Sequence, residues 1–319
     1  MNRINNMLLT MGLCVLMTAC NSDDIEIGDP IEVLKEYALP QQGASTAANQ
    51  MIVDFYNKYG SYFLYDYTEK DAFWSQTSGV ANSQSIYHTI KGDMNNVEVM
   101  INFLYDNWLK YFPENFLKKG GVPYRVFLAD SVYYERDLGG GYIRKFPSNY
   151  LIGDNSIIIA GMNEIPAMTE GARKVRKIEL INAIWNDYYN ANGILSVPKE
   201  FYDVTDYVTI PHKTLNGNFY TWGPGDLEAY RNRGFVQKAT LSAYGSSYSE
   251  WFLMNNTSYN NWSSAKIEDL ASYMSLIFIA SDEKMEEYLK YPLIKQKWDI
   301  LLNYYKNNYG IDLRKIALE

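Results

Sequence analysis

Histidine and cysteine carry most metal, acid–base and thiol chemistry, and this chain of 319 residues holds only 2 His and 2 Cys. The histidines are His88 and His212; the cysteines are Cys14 and Cys20. A metal site of three imidazoles is excluded by count, and so is a pair of histidines one helical turn apart. The charged residues narrow the field further. There are 29 Lys+Arg against 37 Asp+Glu, a net charge of −8. A nucleic-acid partner needs a basic face to neutralise phosphates, so none is expected. With 47% hydrophobic residues, the chain can bury a core and is not disordered as a whole.

Both cysteines fall in the first twenty residues. Residues 1–19 read as a signal peptide: Arg3 opens it, and the apolar run from Met7 to Met17 is too short to span a bilayer. It ends in Leu16-Met17-Thr18-Ala19-Cys20, which resembles a bacterial lipobox, with Cys20 the lipidated first residue of the mature chain. Asn21-Ser22-Asp23-Asp24 resembles an export signal to the outer face of an outer membrane. A lipid anchor is worth about 0.8 kcal/mol per buried CH₂. The expected location is the bacterial outer membrane, facing outward, with the membrane as partner through the anchor. Residues 20–43, with Pro30, Pro40, Gly28 and Gly43, read as a tether, and 44–319 as one domain. That domain has no thiol, so cysteine catalysis and disulfides are excluded.

The elements that would position any site follow an α+β order. Ser45 is a plausible N-cap for a helix ending at Gly60. Ser61–Tyr67 alternates like a strand, residues 75–92 read as a polar loop holding His88, and 95–111 has helical spacing. Val122–Tyr134 and Ser156–Gly161 read as strands, with Gly139-Gly140-Gly141 turning between them. A long helix is expected from Thr169 to Asn190, stopped by Gly193. Residues 194–262, rich in Gly, Asn, Ser, Tyr and Trp, read as long loops. Helices over 264–280 and 282–308, broken near Pro292, close the chain.

Several short motifs carry a more specific resemblance: Tyr56-Asn57-Lys58-Tyr59-Gly60, Gly234-Phe235-Val236, Glu268-Asp269-Leu270-Ala271 and Tyr309-Gly310-Ile311-Asp312-Leu313. With the lipidated start and the element order, they resemble the zinc-binding metallopeptidase lipoproteins of polysaccharide-utilisation operons. The resemblance implies a zincin-like fold: a small N-terminal sheet with helices, then a mostly helical C-terminal half. It also implies a His-Glu-x-x-His helix, whose histidines ligate zinc while the glutamate polarises the bound water.

At that place stands Ile178-Glu179-Leu180-Ile181-Asn182. Only Glu179 keeps the family residue; Ile178 and Asn182 replace the imidazoles. Glu268 would be a vestigial third ligand by resemblance alone. Without zinc, a water there is not made more acidic and Glu179 has nothing to activate. No metal or other cofactor is expected, zinc entering only if an irregular site survives in an active peptidase. Read without the family, Val175, Ile178, Ile181, Trp185 and Tyr188 are a core stripe, and Glu179 a solvated charge among Arg173, Lys174, Arg176 and Lys177. Glu268 and Asp269 then read as first-turn acids favouring a helix dipole.

Aromatic residues make up 15% of the chain, and the loop-rich part holds Tyr202, Tyr207, Tyr220, Trp222, Tyr230, Tyr248 and Trp251 among others. Exposed, such rings could stack on sugars or grip a protein; the simpler expectation is that they pack the loops down. Tyr220, Trp222 and Trp251 are the candidates for binding a glycan or an envelope protein. The whole reads as a surface lipoprotein with a lost active site and a capture or accessory role.

Overall fold

In a computed structural model, the described residues are 36–73, 86–153, 155–207, 214–216, 219–221, 224–241, 248–251 and 262–318. The chain divides into Met1–Ala38 and Leu39–Glu319, and every element below belongs to the second unit. Helix α1 (Thr46–Tyr59) begins where the Ser45 side chain accepts the Ala48 N–H, and ends at Gly60 in the left-handed region at φ 71°. Strand β1 (Tyr62–Leu64) follows directly, shorter than the sequence suggests but wholly buried. Next come α2 (Glu69–Phe73), β2 (Ile86–Lys91), α3 (Val97–Asn107) and a single turn, α4 (Glu114–Phe116).

Strand β3 (Arg125–Asp137) is the axis of a six-stranded sheet with β4 (Ile143–Ser148), β5 (Tyr150–Gly153) and β6 (Ser156–Ile159). Its first half lies parallel between β1 and β6, with Phe63 opposite Val126 and Val126 opposite Ile157. Its second half lies antiparallel between β2 and β4, the latter reached through the turn holding Gly139-Gly140-Gly141. β5 closes the sheet antiparallel to β6. All four residues of β6 are buried, and the apolar run Ile157–Ile159 is what a strand covered on both faces requires.

The loop expected over 75–92 is corrected by β2. Residues 86–91, Ile-Tyr-His-Thr-Ile-Lys, are themselves rich in β-formers, and they pair along β3 with one irregularity between Ile90 and Lys91. His88 is thus a strand residue opposite Tyr133.

Helix α5 (Glu170–Ala183) starts at Thr169, whose hydroxyl accepts the Ala172 N–H, and continues as a π-helix over Ile184–Asn190. The stretch from 194 to 262 holds more regular structure than expected: α6 (Lys199–Asp203), β7 (Thr214–Asn216), β8 (Phe219–Thr221), α7 (Pro224–Asn232), β9 (Lys238–Leu241) and β10 (Tyr248–Trp251). β7–β8 and β9–β10 are two-stranded ladders. Four helices end the chain: α8 (Trp262–Ile279), α9 (Asp282–Leu289), α10 (Pro292–Tyr309) and α11 (Leu313–Leu318). Pro292 stands in the first turn of α10, where its missing N–H costs nothing. The architecture is α+β, a small sheet with many helices.

A large core joins most of these parts, with a smaller cluster at Tyr207, Tyr230, Phe235 and Ala265. Phe55 and Phe63 meet with ring centroids 4.9 Å apart, and Trp185 lies edge-on to Phe278 and Tyr305. The Trp108 indole donates to the Tyr189 hydroxyl at 3.0 Å, which donates to the Gly121 carbonyl at 2.9 Å. Each fully buried large apolar side chain is worth about 1.5–3 kcal/mol.

Candidate functional site

Helix α5 fixes the region that the sequence singles out. Its basic residues are all but one committed to partners. The Arg173 guanidinium donates to the Ile165 carbonyl at 2.6 Å, and Arg176 pairs with Glu164 at 3.1 Å. The Lys177 ammonium donates to the Tyr111 hydroxyl at 2.8 Å and sits over its ring. Arg176 and Lys177 are buried, so this is no solvated charged face, and only Lys174 is fully exposed.

Ile178 is 5% exposed and part of the core, as the stripe predicts. Asn182 is half-buried. Glu179 corrects the expectation of a solvated charge: it is half-buried, and its Oε2 accepts a hydrogen bond from the Asn149 side-chain amide at 2.7 Å. Asn149 immediately precedes the edge strand β5, and its carbonyl accepts the Ala160 N–H. The next residue, Tyr150, has its hydroxyl pKa raised by burial first and then by the negative charges of Asp187 and Glu179. Asp187, in the π-helical extension, keeps an exposed side, yet the protein around it raises its carboxyl pKa. Helix and sheet edge therefore bring together two acids, an amide and a phenol. Sequence reading missed Asn149, Tyr150 and Asp187, which become neighbours of Glu179 only when β5 packs on α5.

The second polar centre lies inside the molecule. The expectation of first-turn acids at 268–269 fails because α8 begins at Trp262, which puts both residues mid-helix. Glu268 is half-buried. Asp269 is wholly buried and pairs with Lys297 of α10, also wholly buried. The same carboxylate oxygen accepts the Tyr207 hydroxyl, while its other oxygen has no partner among the described residues. Lys297 donates further to Thr205 Oγ1 at 3.0 Å and to the Gly234 carbonyl at 3.2 Å. The Phe201 and Tyr273 rings face its ammonium at 4.4 and 4.9 Å. Burial raises the Asp269 pKa and lowers that of Lys297, each moderated by the other's charge.

His88 has carboxylate neighbours: Glu69 lies 3.5 Å from Nδ1 and Glu135 lies 3.9 Å from Nε2, with Tyr133 stacked beneath. Among the described residues, no group of three or more His, Cys, Asp or Glu side chains is arranged to hold a metal ion. The residues at the motif do not fit zinc: a core hydrocarbon stands at 178, and the Glu179 carboxylate is tied to an amide.

Tyr207 and Tyr230 are buried and Tyr202 is partly so, in keeping with the packing role expected for the loop aromatics; Tyr248 is 38% exposed. Tyr220 and Trp251 fall on β8 and β10 by backbone only, their side chains lying outside the described residues. Cys20, His212 and Trp222 also lie outside them.

No family model matches this sequence, and no curated protein does. Among solved structures, a Bacteroides caccae protein described as a "putative zinc-binding metallo-peptidase" matches over 86% of this chain and 92% of its own, with 14% identity and a TM-score of 0.43. Similarity at that level carries no argument about chemistry.

Proposed function

We propose that this chain is a surface lipoprotein with a metallopeptidase-like ancestry and no zinc chemistry, serving as a capture or accessory component for a glycan or an envelope protein. The observation that supports it most is the state of Glu179. A water-polarising glutamate needs a metal beside it and a free carboxylate; here the neighbouring position is a core isoleucine, and the carboxylate accepts from Asn149. Anchoring through Cys20 and an outward-facing outer-membrane location belong to the same proposal. No helix among the described residues is long and apolar enough to cross a membrane.

Elemental analysis of the purified protein tests the reading. Less than one-tenth zinc per chain is expected, with no cleavage of an unfolded protein substrate. One tightly held zinc per chain, or proteolysis abolished by Glu179→Gln, would overturn it in favour of an active peptidase. Ile178→His with Asn182→His restores the family ligands, so zinc should raise the melting temperature of that double variant and leave the parent unchanged.

A further inference from the structure

Helix α10 exposes a row of side-chain amides. Gln296, Asn303 and Asn307 recur at spacings of seven and four residues, which aligns them along one side of the helix over about 16 Å. None of the three side chains makes a hydrogen bond to another described residue, and all are exposed. Between them sit Ile300 and Tyr304, both half-buried. Asn is a poor residue for a helix interior, so this face spends helix propensity without gaining an internal bond. Conflicts of that kind collect at functional sites.

The face is also hollow. It lines a shallow groove of about 740 Å³, wide open to solvent, whose lining also includes Pro198 and Glu200. A smaller hollow of about 290 Å³ adjoins it at Asn308 and continues past Tyr309. The rings of Tyr304, in the larger hollow, and Tyr309, in the smaller, are held in place beforehand. The Tyr304 hydroxyl lies 2.6 Å from Ser196 Oγ, which is 3.0 Å from the Tyr309 hydroxyl, while the Ser196 N–H donates to Tyr309 at 3.1 Å.

The lining says what would bind. Primary amides offer a donor and an acceptor side by side, which suits adjacent hydroxyl groups; Ile300, the prolines and the Tyr304 ring offer apolar faces for C–H surfaces. Lys295 is occupied by Asp299 at 2.5 Å, and Glu200 adds a further negative charge, so the hollow does not attract an anion. The length of the amide row exceeds what one sugar ring would use. We propose that the hollow along α10 binds a neutral oligosaccharide. The inference deepens the capture reading and rests on it, placing the ligand on α10 instead of the aromatic loops.

Calorimetric titration of the intact protein with neutral hexasaccharides (maltohexaose, cellohexaose, xylohexaose and mannohexaose) tests this. At least one should bind at millimolar concentration or tighter, and Asn303→Ala with Asn307→Ala should weaken it tenfold or more while circular dichroism stays unchanged. Binding that survives this double variant but is lost in Tyr220→Ala/Trp222→Ala/Trp251→Ala overturns the α10 site and leaves the capture reading standing. No binding by any of the four sugars overturns the oligosaccharide assignment, as does an unfolded peptide that binds in their place and is weakened by the same double variant. Cleavage of that peptide would sink the capture reading itself.

Discussion

Asp269 and Lys297 show how much a single pair of residues can hold. The attraction between them offsets two desolvation costs and leaves little net gain, but breaking the pair strands the survivor. Lys297→Met should therefore lower the unfolding free energy by about 3–5 kcal/mol in urea titrations. Asp269→Leu combined with Lys297→Met should recover most of that loss; equal loss in the double variant would show that packing, not charge, sets the cost. The left-handed backbone of Gly234 belongs to the same centre. At φ 82° a Cβ there would stand 2.9 Å from Thr205 Oγ1 and 3.1 Å from Leu293, so glycine is what lets its carbonyl reach Lys297. None of this is visible locally in the sequence, because 28 residues separate the partners and each alone reads as a surface charge. Ile178 is the opposite case. Its place on an apolar stripe sufficed to put it in the core, since helical period and burial express one geometry.

Among the elements, those with strong local signals were legible and those made by tertiary pairing were not. Ser45 and Gly60 bracket α1 as expected because capping bonds form within a few residues. β2 was missed because the polar residues before Ile86 masked the β-forming run Ile86–Ile90, and the short strands of β7–β10 hide in composition typical of loops. The pairing of Glu179 with Asn149 was hidden for the same reason, since it needs β5 laid against α5. Helix α5 gives the prediction at this scale. Its N-cap hydroxyl accepts from Ala172, so Thr169→Ala should destabilise the protein by about 1 kcal/mol, read as a lower urea midpoint with unchanged slope. A larger loss with a changed slope would mean that the cap also holds the turn before the helix.

For the molecule as a whole, tyrosine decides the response to alkali. Burial pushes the Tyr67 hydroxyl up to about 12, and that of Tyr202 to about 12 with help from the Asp269 charge. Tyr188, Tyr189, Tyr288 and Tyr305 are raised by burial as well. In the unfolded chain these groups ionise near pH 10. A folded pKa above the unfolded one gives stability that is complete below about pH 10 and lost as the pH climbs through about 12. Alkaline unfolding should thus be steep between those values, and tyrosinate absorbance should appear in two stages, the second coinciding with loss of helical circular dichroism. A single smooth titration of all 29 tyrosines would contradict the burial described.

The sharing of β3 between two halves of the sheet also sets an order in time. β1 and β2 pair with no described strand except β3, and both precede it in the chain. As the chain emerges N-terminus first, they are out before the residues that complete them. Until Arg125–Phe127 has emerged for β1, and Ala129–Glu135 for β2, each is unpaired and available to any neighbouring chain. The emerging polypeptide is most exposed to misassembly in that interval, and the arrival of one strand ends it first for β1 and then for β2.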